Sequence, residues 1–260
     1  MAVGVTDSVG GQAAAILTLT VNPALPPITI TVTQPTTISD QPAPQMSLGT
    51  GYPVALNGTY RLTFTPNAAG LDASFTNTAV QFVTGGTTSP SIAIPANSTA
   101  AVTLPAVQLG TVAGTITVQL ASLTVAGTGQ AVPLPSPVPS VGITVPRLAP
   151  IIVPGSVKIT SITSSGFQVF LDASSTPRDL SSASVSFTAA AGTTLNGTQF
   201  TVSLTAPAGA WFVPANANPN GGAFSLTMPF TFTGDTSSLG TVSVTLTNSV
   251  GTSIAQSGGK

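Results

Sequence analysis

Gly166–Thr188 reads GFQVFLDASSTPRDLSSASVSFT, and a related stretch stands earlier, at Thr59–Thr84, as TYRLTFTPNAAGLDASFTNTAVQFVT. Each opens on an aromatic residue and alternates into a strand, Tyr60, Leu62, Phe64 and then Phe167, Val169, Leu171. Each passes a polar turn holding a Leu beside an Asp (Leu71-Asp72, Asp179-Leu180) and closes on a second alternating run, Val80-Phe82 and Val185-Phe187. Side chains in a strand point to opposite faces in turn, so an apolar residue at every second position marks a half-buried strand. One two-residue gap aligns the two stretches, and a later pair agrees with them: Leu109-Gly-Thr-Val against Leu239-Gly-Thr-Val. The chain therefore reads as two copies of a β module.

Outward from this pair, the strands are short and the turn signals frequent. The first unit reads as strands at Ile28–Val32, Ser91–Ile94, Ala100–Leu104, Gly114–Leu120, Ser122–Ala126 and Val141–Val145, with Asn57-Gly58 as a hairpin turn before Tyr60. Pro133, Pro135, Pro137 and Pro139 form an extended run that cannot join a central ladder. Residues 146–154, PRLAPIIVP, read as the joint between units. The second unit reads as Val157–Ile162, Phe167–Leu171, Val185–Ala189, Gln199–Thr205, Trp211–Val213, Ala223–Thr233 and Thr241–Asn248. No window sustains a helical period. About seven strands per unit, with turns every eight to twelve residues, is the pattern of an immunoglobulin-like β-sandwich. The expected organisation is all-β: residues 1–24 a hairpin or donor-strand segment, 25–148 a first sandwich, 149–256 a second, and 257–260 a frayed tail. Phe64, Phe82, Phe187 and either Phe170 or Leu171 are the expected core anchors.

Composition narrows the function classes. The chain has 260 residues, of which only 4% are charged, against roughly 25% in ordinary soluble domains. It has no Glu, His or Cys. Five cations cannot supply the many phosphate contacts on which nucleic-acid binding rests, so no nucleic-acid partner is expected. A catalytic triad, a thiol nucleophile and a His-ligated zinc site all lack their residues. A net charge of −1 gives little repulsion between copies, which favours self-association or attachment to a surface. Neither a signal-length apolar run nor a spanning helix is legible. Aromatics at 5% are too few for the two girdles of a membrane barrel, and 23 prolines would interrupt its strands.

Two resemblances follow from particular phrases. Residues 4–22, GVTDSVGGQAAAILTLTVN, resemble the closing hairpin of a bacterial immunoglobulin-like repeat of the putative-Ig or cadherin-like kind. Residues from about 54 to 255 resemble tandem C-terminal modules of large secreted repeat proteins of soil bacteria, on LGTVAGTITVQL, ITVPRLAP, GFQVFLDASSTPRDLSSASVSFTAAAGT, MPFTFTGD and VSVTLTNSVGTS. These resemblances imply an extracellular or cell-surface location and cell-surface or matrix partners, and they transfer no catalytic residue. Cadherin-like ancestry implies calcium as the cofactor to consider. Asp7 matches that family's turn Asp, but the six Asp are scattered, with no D-x-D run, so no cofactor is expected.

Candidate sites are few. Asp172, Arg178 and Asp179 form the densest charged cluster, weighed as a site against a turn in which Asp caps backbone N–H groups and Arg pairs locally. Trp211 and Phe212, with Asn216, Asn218 and Asn220, form a candidate sugar-binding loop, weighed against Trp211 as core. Asn57, Asn97 and Asn196 fit the glycosylation pattern, which chance readily produces in so Ser/Thr-rich a chain. Ile16, Leu17, Leu19 and Val21 form a candidate donor strand, because a lone hairpin is marginal in water and its edge can template another chain. The expected function is that of a non-enzymatic structural or adhesive protein, a stalk, adhesin segment or filament subunit. The alternative is a polysaccharide-binding module.

Overall fold

The structure, a computed structural model, describes residues 2–6, 8–10, 12–16, 23–71, 75–213 and 218–260. It is all-β, with 42% strand and 7% helix. Two separate hydrophobic cores divide the described residues, one drawn from Ile30–Val145 and one from Ile152–Leu246.

In the first unit, Leu56–Pro66 and Gly114–Val125 pair antiparallel along their whole length. Ser91–Ile94 flanks the former, while Ala131–Val132 and Ser140–Val145 flank the latter. The proline run thus carries the chain between two short segments on one edge of the same strand. The expected strands at 114–120 and 122–126 are one strand with a bulge between Leu120 and Ser122. That extra residue shifts the two-residue phase, so Leu123 returns to the core face already occupied by Ile116, Val118 and Leu120. Opposite lie a sheet of Ile28–Thr31, Gln45–Leu48 and Val102–Thr103 and a small pair, Gln81–Phe82 with Val107–Gln108. The Tyr60 hydroxyl donates across the core to Met46 Sδ at 2.6 Å, and burial pushes its phenol pKa well up.

Asn57-Gly58 is not a turn but part of the Leu56–Pro66 strand. Gly58 lies between two neighbouring strands, and a Cβ there would stand 3.3 Å from Leu123 Cδ2, so the missing side chain makes room for leucine. Of the expected anchors, Phe82, Leu171 and Phe187 are buried, whereas Phe64 and Phe170 are half-buried.

In the second unit Gly166–Ser174 buries Phe167, Val169, Leu171 and Ala173 in strict alternation. Ala223–Thr231 pairs with one side of it, and Ile151–Ile152 and Lys158–Thr160 with the other. Pro229 is tolerated because its strand pairs on one side only. The opposing sheet runs Gln199–Ser203, Ser182–Ala189, Leu239–Thr247, Gln256–Gly258. The end of the chain is therefore not a frayed tail. Gln256–Gly258 pairs with Val242–Val244, Gly259 O accepts from Ile159 N at 2.8 Å, and Lys260 Nζ donates to Thr236 O at 2.9 Å.

The expected strand at Trp211–Val213 is instead the end of a helix, Thr205–Trp211. Its seven residues span too little chain to display a period. Pro207 sits in the first turn, where its missing N–H costs nothing. The Leu109 and Leu239 phrases also part company. Gly114–Val125 pairs with Leu56–Pro66, the partner of Gly166–Ser174 in the alignment. Leu239–Thr247 pairs instead with Ser182–Ala189, in the opposing sheet. The place of Gly114–Val125 is taken in the second unit by Ala223–Thr231. At the start of the chain, Ala2–Thr6 pairs with Gln12–Ile16 as a two-stranded sheet.

Candidate functional site

The Asp172–Arg178–Asp179 cluster does not converge on a site. Asp172 Oδ1 accepts from Ser225 Oγ at 2.6 Å, and Asp179 Oδ1 from Ser249 N at 3.4 Å. Arg178, only 1% exposed, donates to two main-chain carbonyls, Gly221 O at 3.0 Å and Phe212 O at 2.5 Å. Its guanidinium carbon lies 6.0 Å from the Phe75 ring centroid and 5.4 Å from that of Phe212. A planar cation held by carbonyl dipoles and ring faces fits such a place better than an ammonium would, although its buried Nε–H finds no acceptor. Burial lowers its pKa, and a guanidinium stays charged regardless. Arg178 also adopts φ +58°, closing the turn tightly.

This turn joins the two units. Ala113 N donates to Thr176 O at 2.9 Å, Ala69 N to Pro177 O at 3.0 Å and Leu148 N to Thr176 Oγ1 at 2.8 Å. Gly222 N donates to Thr111 Oγ1 at 3.0 Å, and Asn248 Nδ2 to Leu148 O at 2.9 Å. At Gly222 an added Cβ would stand 2.2 Å from Thr111 O, so the two backbones meet where only glycine fits. The sequence reading expected the joint at 146–154. That stretch does take part, Arg147 donating to Ser249 Oγ at 3.3 Å and the Leu148 main chain bonding Thr176 and Asn248, while Thr176, Pro177 and Gly222 supply the other bonds.

The candidate sugar loop is only partly a surface. Phe212 is 4% exposed and packs edge-on against Phe224 at 5.9 Å, so it belongs to the core and offers no ring face to a ligand. Trp211, 38% exposed, borders a cleft of about 240 Å³ with Leu180, Leu204 and Pro207. Asn218 and Asn220 are exposed in a 3-10 turn, and Asn216 lies outside the described residues. Within the donor segment Ile16 pairs with Ala2, while Leu17, Leu19 and Val21 lie outside the described residues, as do Asp7 and Asp72. Among the described residues no group of three or more carboxylates is placed to hold a metal ion.

One further feature has no counterpart among the candidate residues. At the end of the second sandwich remote from the joint, a cavity of about 550 Å³ is lined by Phe167, Phe187, Phe200, Phe230 and Phe232. Ring centroids lie 5.2 Å apart for Phe187–Phe230, 5.6 Å for Phe200–Phe230 and 5.3 Å for Phe167–Phe187. The loops at Thr194–Gly197 and Thr231–Asp235 form its walls. Asp235 caps the following turn, accepting from Ser237 Oγ at 2.6 Å and Ser237 N at 2.8 Å, and the Ser237 hydroxyl first, then its N–H, holds the carboxyl below its usual pKa. The Phe230-Thr-Phe232 alternation was the one available signal. Nothing local linked it to Phe200.

No family model matches the chain, and no curated protein matches it. One solved structure to which it is similar is described as CBD12 from CALX1.2. The match has 11% identity and a TM-score of 0.25, and it covers 78% of this chain and 72% of that one. So loose a superposition bears on neither ligand nor role.

Proposed function

We propose that the chain is a non-enzymatic structural protein of the cell exterior, a segment of a surface stalk or adhesin whose two sandwiches act as one stiff unit. The observation that carries this is the joint around Arg178. Domains in one chain ordinarily move relative to each other unless their interface holds them. Here six hydrogen bonds between the units, the Phe75 ring against buried Arg178 and a backbone contact at Gly222 oppose that motion. The low charge and Thr/Ser-rich composition suit an exposed, self-associating protein. The chain enters the first sandwich at its outer end, where the Tyr52 hydroxyl donates to Pro23 O at 3.2 Å. In this reading, segments before that point reach a neighbour, and a contact between unlike ends that does not close builds a filament. Small-angle scattering should return one extended particle with little interdomain spread. Deleting residues 1–24 should lower the sedimentation coefficient at high concentration, and identical monomers before and after deletion would end the donor-strand reading.

A second reading, a polysaccharide-binding module, is favoured by half-exposed Trp211 beside its cleft. Retention on immobilised glycans, lost in Trp211→Ala, is its test.

A further inference from the structure

We infer that the phenylalanine-lined cavity at the free end of the second sandwich binds the terminal sugar rings of a neutral glycan. This rests on the polysaccharide-binding reading and moves its site away from Trp211.

The place and size come first. Gly166, Ala189, Thr231 and Leu239 are the strand ends opposite those at the Arg178 joint, so the cavity opens at a pole and not on a sheet face. Its volume of about 550 Å³ falls within the range of small-ligand sites. Beneath it the sandwich core is filled, with Phe167 and Phe187 buried, so a ligand enters end-on and stops. This shape takes the end of a chain and excludes a chain passing through.

The chemistry of the lining selects the ligand. Phe200 is 42% exposed, and Phe230 is half-buried beside it, so phenyl surface faces the opening. The walls are polar and carry little free charge. Asn196 stands at a turn made by Gly197 at φ +78°, and Thr233 and Ser238 add hydroxyls. Asp235 is engaged by Ser237, and the nearby Lys260 ammonium is held by the carbonyls of Thr236 and Ser237. An anionic ligand would meet the Asp235 carboxylate, and the nearby Lys260 ammonium already acts on that carboxylate and on the Thr236 and Ser237 carbonyls. A pure hydrocarbon would strip water from the wall amide and hydroxyls without replacing their hydrogen bonds. A pyranose ring presents a C–H face to the phenyls and a hydroxyl edge to the walls, and so satisfies both.

The test is calorimetric titration of the full chain with cellohexaose, chitohexaose and hexagalacturonate. A neutral hexamer should bind, and the anionic one should bind at least about tenfold more weakly. Phe200→Ala and Asn196→Ala should each weaken the neutral hexamer about tenfold, Asn196→Ala with an unchanged melting temperature, while Phe200→Tyr retains binding and Trp211→Ala leaves it intact. Binding that survives Phe200→Ala and Asn196→Ala but is lost in Trp211→Ala would overturn the cavity and keep the polysaccharide reading. No binding of either neutral hexamer would overturn both. Self-association in sedimentation that Phe200→Ala abolishes would make the cavity a contact between copies, and would also overturn the inference.

Discussion

The two units cross from one sheet to the other in different ways, although both crossings begin from matching strands. In the second unit the chain leaves Ser174, makes one buried turn through Ser175–Arg178, and is already pairing at Ser182, in a strand that runs to Ala189. In the first it leaves Pro66, and among the described residues the next strand is Gln81–Phe82, of two residues. Asn77 is one cause. Its side chain accepts from Ala79 N, and its carbonyl from Val80 N, so the residues matching the start of Ser182–Ala189 close a turn instead. Gly85 and Gly86, both at positive φ, end the strand just beyond. A shared apolar rhythm places the framework, and a few residues with strong local hydrogen bonding decide how much of it becomes sheet.

If the second unit has the fuller sheet, its core should be the harder to injure without unfolding. Phe187→Ala removes a ring packed on Phe167, Phe200 and Phe230, and should cost about 3–5 kcal/mol in urea unfolding. A cost under about 1 kcal/mol would mean that the strand face is not the core face.

The buried turn offers the next test. Arg178→Ala leaves two buried carbonyls without their charged donor, and should cost about 2–4 kcal/mol. Both carbonyls belong to the second unit, so the loss should fall on that unit's own stability and leave the hydrogen bonds between the units in place. A single calorimetric transition in the variant would show that the units remain coupled without Arg178.

Gly222→Ala acts on the same joint through volume alone. With Thr111 O and Ser175 O both closer than 3 Å to the new Cβ, about 1–3 kcal/mol is expected. Gly142→Ala, whose Cβ would meet only Thr115 Cγ2 at 3.4 Å, is the control and should change the melting temperature little.

The smallest effect is that of pH. Asp40, held by the Thr37 and then the Thr36 backbone N–H, and Asp235, held by Ser237, both have folded pKa values below 3.8. A depressed carboxylate contributes stability above its unfolded pKa and loses it as pH falls through the folded value. With no Glu or His, thermal melts should be flat from about pH 5 to 8 and decline only below about pH 4. A slope near neutrality would contradict this.

Much of the architecture was legible because alternation is a local signal. Phe167, Val169 and Leu171 announce their buried face within five residues. What escaped depends on residues far apart in the chain. Arg178 reads as a locally paired turn residue until Phe75 and Phe212 close over it, and the cavity needs Phe167, Phe187, Phe200 and Phe230 from four strands. The Thr205–Trp211 helix escaped for the opposite reason, being shorter than the window in which a helical period shows.

The last strand also has a mechanical consequence. Pro23 lies beside Tyr52, where the chain enters the first unit, and Lys260 lies beside Thr236, at the pole of the second unit away from the joint. Tension between these two residues would run along the strands and load the pairing of Gln256–Gly258 with Val242–Val244 in shear. Hydrogen bonds loaded in this way give way together and not one at a time. Such a ladder resists a pull better than one that peels open, and its three residue pairs would be the first of the second sandwich to yield.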